Sequence, residues 1–234
     1  MLKKLLLLSV LPGIVWAAEG QGVDALNGEV GLGVDSDSDI LSTGLAGRLN
    51  IPVAGYIGVS GELRYADNSA KNDYYADGRE RYLGITGFVR DSSIGKLAFN
   101  YTAAYWEADV YGETLDESYN QTKLSAEGYL GSFTLAAANT QVSDFGDNNS
   151  WDYYDVSAAF YPADNAKISL GMMAEEYKLN DEDTQYVRFS FQPMNALELS
   201  AGYLRDPSDK TLSFSASYFF DTKVSLIKRD RQYR

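Results

Sequence analysis

Residues 211–220 read TLSFSASYFF. Leu212, Phe214, Ala216, Tyr218 and Phe220 fall on one parity, and Thr211, Ser213, Ser215 and Ser217 on the other. Successive side chains of an extended chain point to opposite faces, so this is a strand that is oily on one side and hydroxylated on the other. The text then changes abruptly. Residues 221–234, DTKVSLIKRDRQYR, set Lys223, Lys228, Arg229, Arg231 and Arg234 against Asp221 and Asp230.

The same period of two runs back through the chain. Leu26, Val30, Leu32 and Val34 oppose Asn27, Glu29, Gly31 and Gly33. In GKLAFNYTAAYW, residues 95–106, Leu97, Phe99, Tyr101, Ala103 and Tyr105 oppose Lys96, Asn100 and Thr102. Comparable segments centre on Leu49, Val59, Ile85, Ala126, Leu135, Val156, Leu170, Phe189 and Leu199, which makes twelve strands. Their connections alternate in length. Short turns at 52–55, 90–95, 129–132, 162–165 and 193–196 are interleaved with longer polar segments at 35–39, 66–81, 107–118, 143–150, 179–184 and 205–210. That is an up-and-down antiparallel meander, and an even strand number puts both of its ends on the short-turn side.

At the other end of the chain, MLKKLLLLSVLPGIVWA combines two lysines, an apolar run too short to span a bilayer, and small residues at Ala17 and Ala18. It predicts a secretory signal peptide over 1–17, cleaved after Ala17. The expected organisation is signal peptide 1–17, barrel 18–220 and a basic periplasmic tail 221–234. Removing the signal takes Lys3 and Lys4 with it, so the formal net charge of −13 becomes more negative still. The chain has no cysteine, so an exported domain of this kind holds together without disulfides. Eighteen tyrosines and 21 glycines against 5 prolines point to strands throughout.

Alternation alone does not say which face meets water. In a soluble sandwich or barrel the apolar parity points to a core; in a membrane barrel it points to lipid. Charges deep within the polar parity, many Gly and Ser beside them, and strands long enough to cross hydrocarbon when tilted favour the membrane. Aromatics near strand ends (Tyr65, Tyr105, Trp106, Trp151, Tyr153, Tyr154, Phe160, Tyr161, Tyr203, Tyr218 and Phe220) suit an interfacial girdle. On this pattern the chain resembles the Gram-negative outer-membrane β-barrel proteins, in particular their small porin-like members. The resemblance implies integral outer-membrane localisation, contact with outer-membrane lipids and lipopolysaccharide, and delivery by the barrel-assembly machinery. That machinery reads a C-terminal strand ending in an aromatic, as TLSFSASYFF does at Phe220, although here 14 further residues follow. A homo-oligomer is compatible with the pattern.

Chemistry is excluded more readily than assigned. Barrel lipases, deacylases and omptin-type proteases rely on a histidine, and this chain has none. No Ser/Lys spacing replaces it, so no enzyme, cofactor or metal site is expected. DSDSD, 35–39, fails as a calcium loop because Ile40 and Ala46 stand where Gly and Glu are required. The tail is too short and mixed for nucleic acid. What remains is the charge set on the inner parity: Glu29, Glu62, Glu127, Glu175 and Glu198 with Arg48, Arg64, Lys96, Lys123, Lys167 and Arg188. These are the expected channel-lining residues. Opposed acidic and basic arcs would order water across a narrow pore, whereas pairing such as Glu29 with Arg48 would close it. The expectation is a porin-like channel for passive diffusion of small hydrophilic solutes or ions, with modest cation preference from acidic loops. The alternative is a non-conducting structural or interaction barrel acting through its loops or tail. The tail itself reads as a solvated end, a plug, or, at KVSLIKR, a short additional strand.

Overall fold

The structure is a computed structural model that describes residues 26–54, 56–72, 76–110, 113–144, 150–177, 180–220 and 224–233. The expected signal peptide lies outside the described residues. Among them, twelve strands follow one another: β1 (Asn27–Ser36), β2 (Ile40–Ala54), β3 (Ile57–Ala70), β4 (Gly78–Asp91), β5 (Gly95–Val110), β6 (Glu113–Leu130), β7 (Phe133–Asp144), β8 (Ser150–Ala163), β9 (Ala166–Tyr177), β10 (Asn180–Met194), β11 (Leu197–Arg205) and β12 (Lys210–Phe220). A short helix, α1 (Leu226–Gln232), comes last. Each strand pairs antiparallel with the one before it, and β1 pairs with β12 from Gly28↔Phe220 to Ser36↔Leu212. The sheet is therefore a closed barrel. Closure removes every unpaired edge, which is the condition for placing a sheet in hydrocarbon.

Local chemistry explains the tight end. Gly131 has φ +56° in the two-residue β6–β7 turn, a conformation that suits glycine. The Asp91 carboxylate accepts the Ser93 N–H at 2.8 Å and so closes the β4–β5 turn. Register shifts fall at Pro52/Ala54, Phe160/Ala163 and Phe191/Met194, stretches that hold Pro52, Pro162 and Pro193. Proline cannot donate to the ladder, so it settles at bulges near strand ends.

Burial is inverted relative to a soluble protein. Leu32, Leu63, Leu83, Leu97 and Leu124 are each 62–63% exposed, while Glu29, Arg48, Lys96, Lys167 and Glu198 are buried. The oily parity faces outward around the circumference and the ionic parity faces inward, so the barrel presents hydrocarbon to a membrane and polar groups to its own interior.

Three features differ from the sequence reading. First, much of the polar segments is strand: β5 and β6 stay paired to Val110↔Glu113, and β9 and β10 to Tyr177↔Asn180. Once a hairpin register is set, the ladder continues upward into water regardless of side-chain polarity. Second, Trp106, Tyr153 and Tyr161 are buried inward, and Trp151 packs with the interior cluster, so they are no part of an outer girdle. Their parity is that of the lumen. Tyr65, Tyr154, Tyr203, Tyr218 and Phe220 do face outward. Third, the described part of the KVSLIKR stretch, from Val224, makes helix from Leu226 onward and adds no strand.

Candidate functional site

The interior is built in three levels. At the long-loop end an aromatic layer forms from inward residues of β4 to β11: Tyr82, Ala104, Tyr119, Val142, Tyr153, Met173 and Leu204, with Trp151 and Tyr186 against them. Tyr82 and Tyr119 meet edge to face at 6.4 Å, and the Tyr119 hydroxyl donates to that of Tyr82 at 3.1 Å. Tyr82 in turn donates to Glu80, which accepts from Asn68 at 2.9 Å.

Between that layer and the short turns the wall carries ion pairs. Arg48 lies 3.4 Å from Glu29 and 2.8 Å from Glu62, and Arg64 also contacts Glu62. Lys96 lies 2.8 Å from Glu127, which accepts the Tyr129 hydroxyl at 3.0 Å. Tyr186 donates to Asp155 at 3.1 Å. Opposite charges thus meet along the wall, between neighbouring strands or two residues apart on one strand. Separate acidic and basic arcs do not form here, because registers such as Glu29↔Arg48 and Arg48↔Glu62 bring opposite charges side by side.

At the short-turn end α1 sits in the barrel mouth. Leu226, Arg229 and Asp230 are buried. Arg229 lies 2.8 Å from Glu198 of β11, with its guanidinium carbon 3.5 Å from the Phe219 ring centroid of β12. Asp230 accepts from Lys167 of β9 at 3.0 Å and from the Tyr161 hydroxyl of β8 at 2.9 Å. Arg231 donates to the Phe133 carbonyl of β7 at 2.6 Å and lies 5.0 Å from the Tyr129 ring of β6. On the far side Asn50 of β2 donates to the Tyr233 carbonyl at 3.1 Å. Contacts from β2 round to β12 make the helix a stopper seated across the mouth. A cavity with room for a few waters lies between α1 and β6 to β10, lined among others by Glu127, Ser157, Lys167, Ser169, Arg188 and Asp230.

The eleven residues expected to line the interior are distributed across these levels. Glu29, Arg48, Glu62 and Arg64 form one network, Lys96 and Glu127 a second, and Lys167 and Glu198 hold the helix. Lys123 sits near Asp155, and Arg188 between Glu198 and Asp35. The side chain of Glu175 lies outside the described residues; its backbone pairs with Tyr153 in β8. The sequence reading missed Asp35, Glu80, Arg90 and Asp155, all on the inward parity and so recoverable by extending the same alternation.

Inner glycines do not all mean open space. The Phe88 ring lies over Gly58 and the Tyr186 ring over Gly171, each filling the volume that a side chain would take. Along β11, β12, β1 and β2, by contrast, the interior is lined by Ser200, Gly202, Ser213, Ser215, Gly33 and Gly44, all partly exposed. These small residues line the wall that leads down to Glu198 and Phe219, where α1 is held.

No protein-family model matches the chain, and no curated protein matches it. Solved structures do. The KdgM porin, determined in complex with disordered oligogalacturonate, superposes with a TM-score of 0.64 at 7% identity, covering 82% of this chain and 99% of KdgM. The COG4313 outer membrane channel from Pseudomonas putida F1 gives 0.60 at 10% identity, covering 87% and 98%. The translocator domain of the autotransporter NalP from Neisseria meningitidis gives 0.55 at 11% identity, covering 94% and 95%. With its hydrocarbon-facing exterior and ionic interior, the chain is an integral membrane β-barrel that has the fold of the Gram-negative outer-membrane channels.

Proposed function

We propose that this barrel is a porin-like channel of the outer membrane for passive diffusion of small hydrophilic solutes or ions, closed at its periplasmic mouth by α1. The observation that carries the reading is the way the stopper is held. Its buried contacts are ion pairs, hydrogen bonds and ring–cation contacts, with Leu226 the buried apolar residue among them. Water can replace such contacts when the helix withdraws, whereas a helix fixed by hydrophobic packing has no such alternative. The cavity between α1 and β6 to β10 supports water beside the stopper.

Acidic residues at the long-loop end, among them Asp67, Glu107, Asp109, Glu113, Asp116, Asp206 and Asp209, support a modest cation preference. The chain has no histidine to serve as a base, and the reading is transport rather than catalysis.

A second reading rests on the aromatic layer, which narrows the other end: a non-conducting barrel acting through its loops or tail. Planar-bilayer recordings on the full chain and on a chain lacking 221–234 separate the two. Discrete steps that appear or lengthen after deletion, with a reversal potential on the cation side in a salt gradient, support the channel. Silence from both proteins, with folding verified by heat-modifiable gel migration, supports the structural reading.

A further inference from the structure

We propose that the mouth occupied by α1 is a binding site for small amphoteric molecules that carry a guanidinium or ammonium group together with a carboxylate, and that Arg229–Asp230 fills it as a built-in stand-in. The inference rests on the plugged-channel reading and deepens it by naming a ligand class.

The wall offers two complementary subsites. For a cation, β11 supplies the Glu198 carboxylate and β12 the Phe219 ring, and the Arg229 guanidinium occupies both, at 2.8 Å and 3.5 Å. A planar cation satisfies a carboxylate at its edge and an aromatic ring at its face together, which a compact ammonium does less well. For a carboxylate, β9 supplies Lys167 and β8 the Tyr161 hydroxyl, both on the same Asp230 oxygen at 3.0 Å and 2.9 Å. Adjacent helical residues project about 100° apart, so Arg229 and Asp230 reach different walls of one mouth. All four wall groups are buried beneath the helix. When α1 leaves, a negative aromatic subsite and a positive hydroxylated subsite face the same water. A ligand with one charge engages half of this; a molecule bearing both groups, such as arginine, engages all of it.

The chain has no cysteine, so Leu226→Cys places a single thiol on the helix at a position fully buried when docked. Its rate of reaction with an impermeant maleimide reads release of the stopper. In this otherwise intact chain, L-arginine should accelerate labelling saturably, and more than propylguanidinium or butyrate at equal ionic strength. In the full-length R229A/D230A variant, which empties both subsites, calorimetry should show L-arginine binding at least about tenfold tighter than propylguanidinium or butyrate. Adding Glu198→Gln to that variant should weaken arginine by about tenfold, the worth of one charge-assisted contact. Arginine indistinguishable from propylguanidinium and butyrate, which carry one charge each, in both experiments, or binding unchanged by Glu198→Gln, would overturn the inference. The labelling experiment does not depend on R229A/D230A folding. Neither readout uses conductance, so a barrel that binds arginine yet never conducts sinks the channel and leaves the site.

Discussion

Replacing Arg229 with alanine should unseat the helix without unfolding the barrel. The guanidinium is fully buried, 2.8 Å from Glu198 and 3.5 Å above Phe219. A hydrogen bond to a charged group contributes about 1.5–3 kcal/mol, and a desolvated cation–ring contact about 2 kcal/mol. Stranding one member of a buried pair costs about 3–5 kcal/mol in a site that stays dry. Here Glu198 recovers water as soon as α1 withdraws, so the penalty is discharged by undocking. The lower figure, about 3 kcal/mol, is therefore the relevant one, and it multiplies the undocked-to-docked ratio by about a hundred. The assay is the maleimide reaction of Cys at 226, comparing L226C with R229A/L226C in the same detergent. The double variant should label about two orders of magnitude faster, and Glu198→Gln added to it should return part of that factor by removing the stranded carboxylate. A rate change below about threefold, under 1 kcal/mol, would refute the argument that this pair seats the helix.

Three further outcomes follow from the wall. Ile85→Lys puts a charge on the lipid-facing side of β4 and should lower unfolding free energy in lipid vesicles by about 2–4 kcal/mol, as read from urea titration. Arg48→Met removes the cation between Glu29 and Glu62 and leaves Glu62 with Arg64 alone, so it should lower stability in urea titration more than Glu29→Gln, by up to about 3–5 kcal/mol where the site stays dry. Gly58→Val drives a side chain into the Phe88 ring and should cost about 1–3 kcal/mol in the same titration, with Phe88→Ala restoring part of it.

Much of this molecule is legible along the line of the chain. Strand number, the tight and long ends, the oily and ionic parities and the terminal strand ending at Phe220 all follow from a period of two punctuated by turns. Those signals are local: a strand's faces are set by its own alternation, whichever strand it later pairs with. The inward course of Trp106, Tyr153 and Tyr161 was equally available from parity, and was obscured by weighing aromatics by their distance from strand ends.

Other features arise only on closure. Whether Glu29, Arg48 and Glu62 oppose or neutralise one another depends on the register of two hairpins, which alternation leaves open. Whether an inner glycine is space or a seat for a ring depends on which side chain the adjoining strand brings to it, as Phe88 is brought to Gly58. The tail shows this most fully. Its composition is that of a solvated basic end, and its seven-residue helix has little stability alone. Only a closed barrel assembles Glu198, Phe219, Lys167 and Tyr161, spread over 59 residues of sequence from Tyr161 to the ring at 219, around one mouth. Alternation told this protein to become an ionic-lined barrel in a membrane; the meeting of distant charges inside that barrel decided that it is stoppered, because a buried ion needs its counterion wherever in the chain that partner lies.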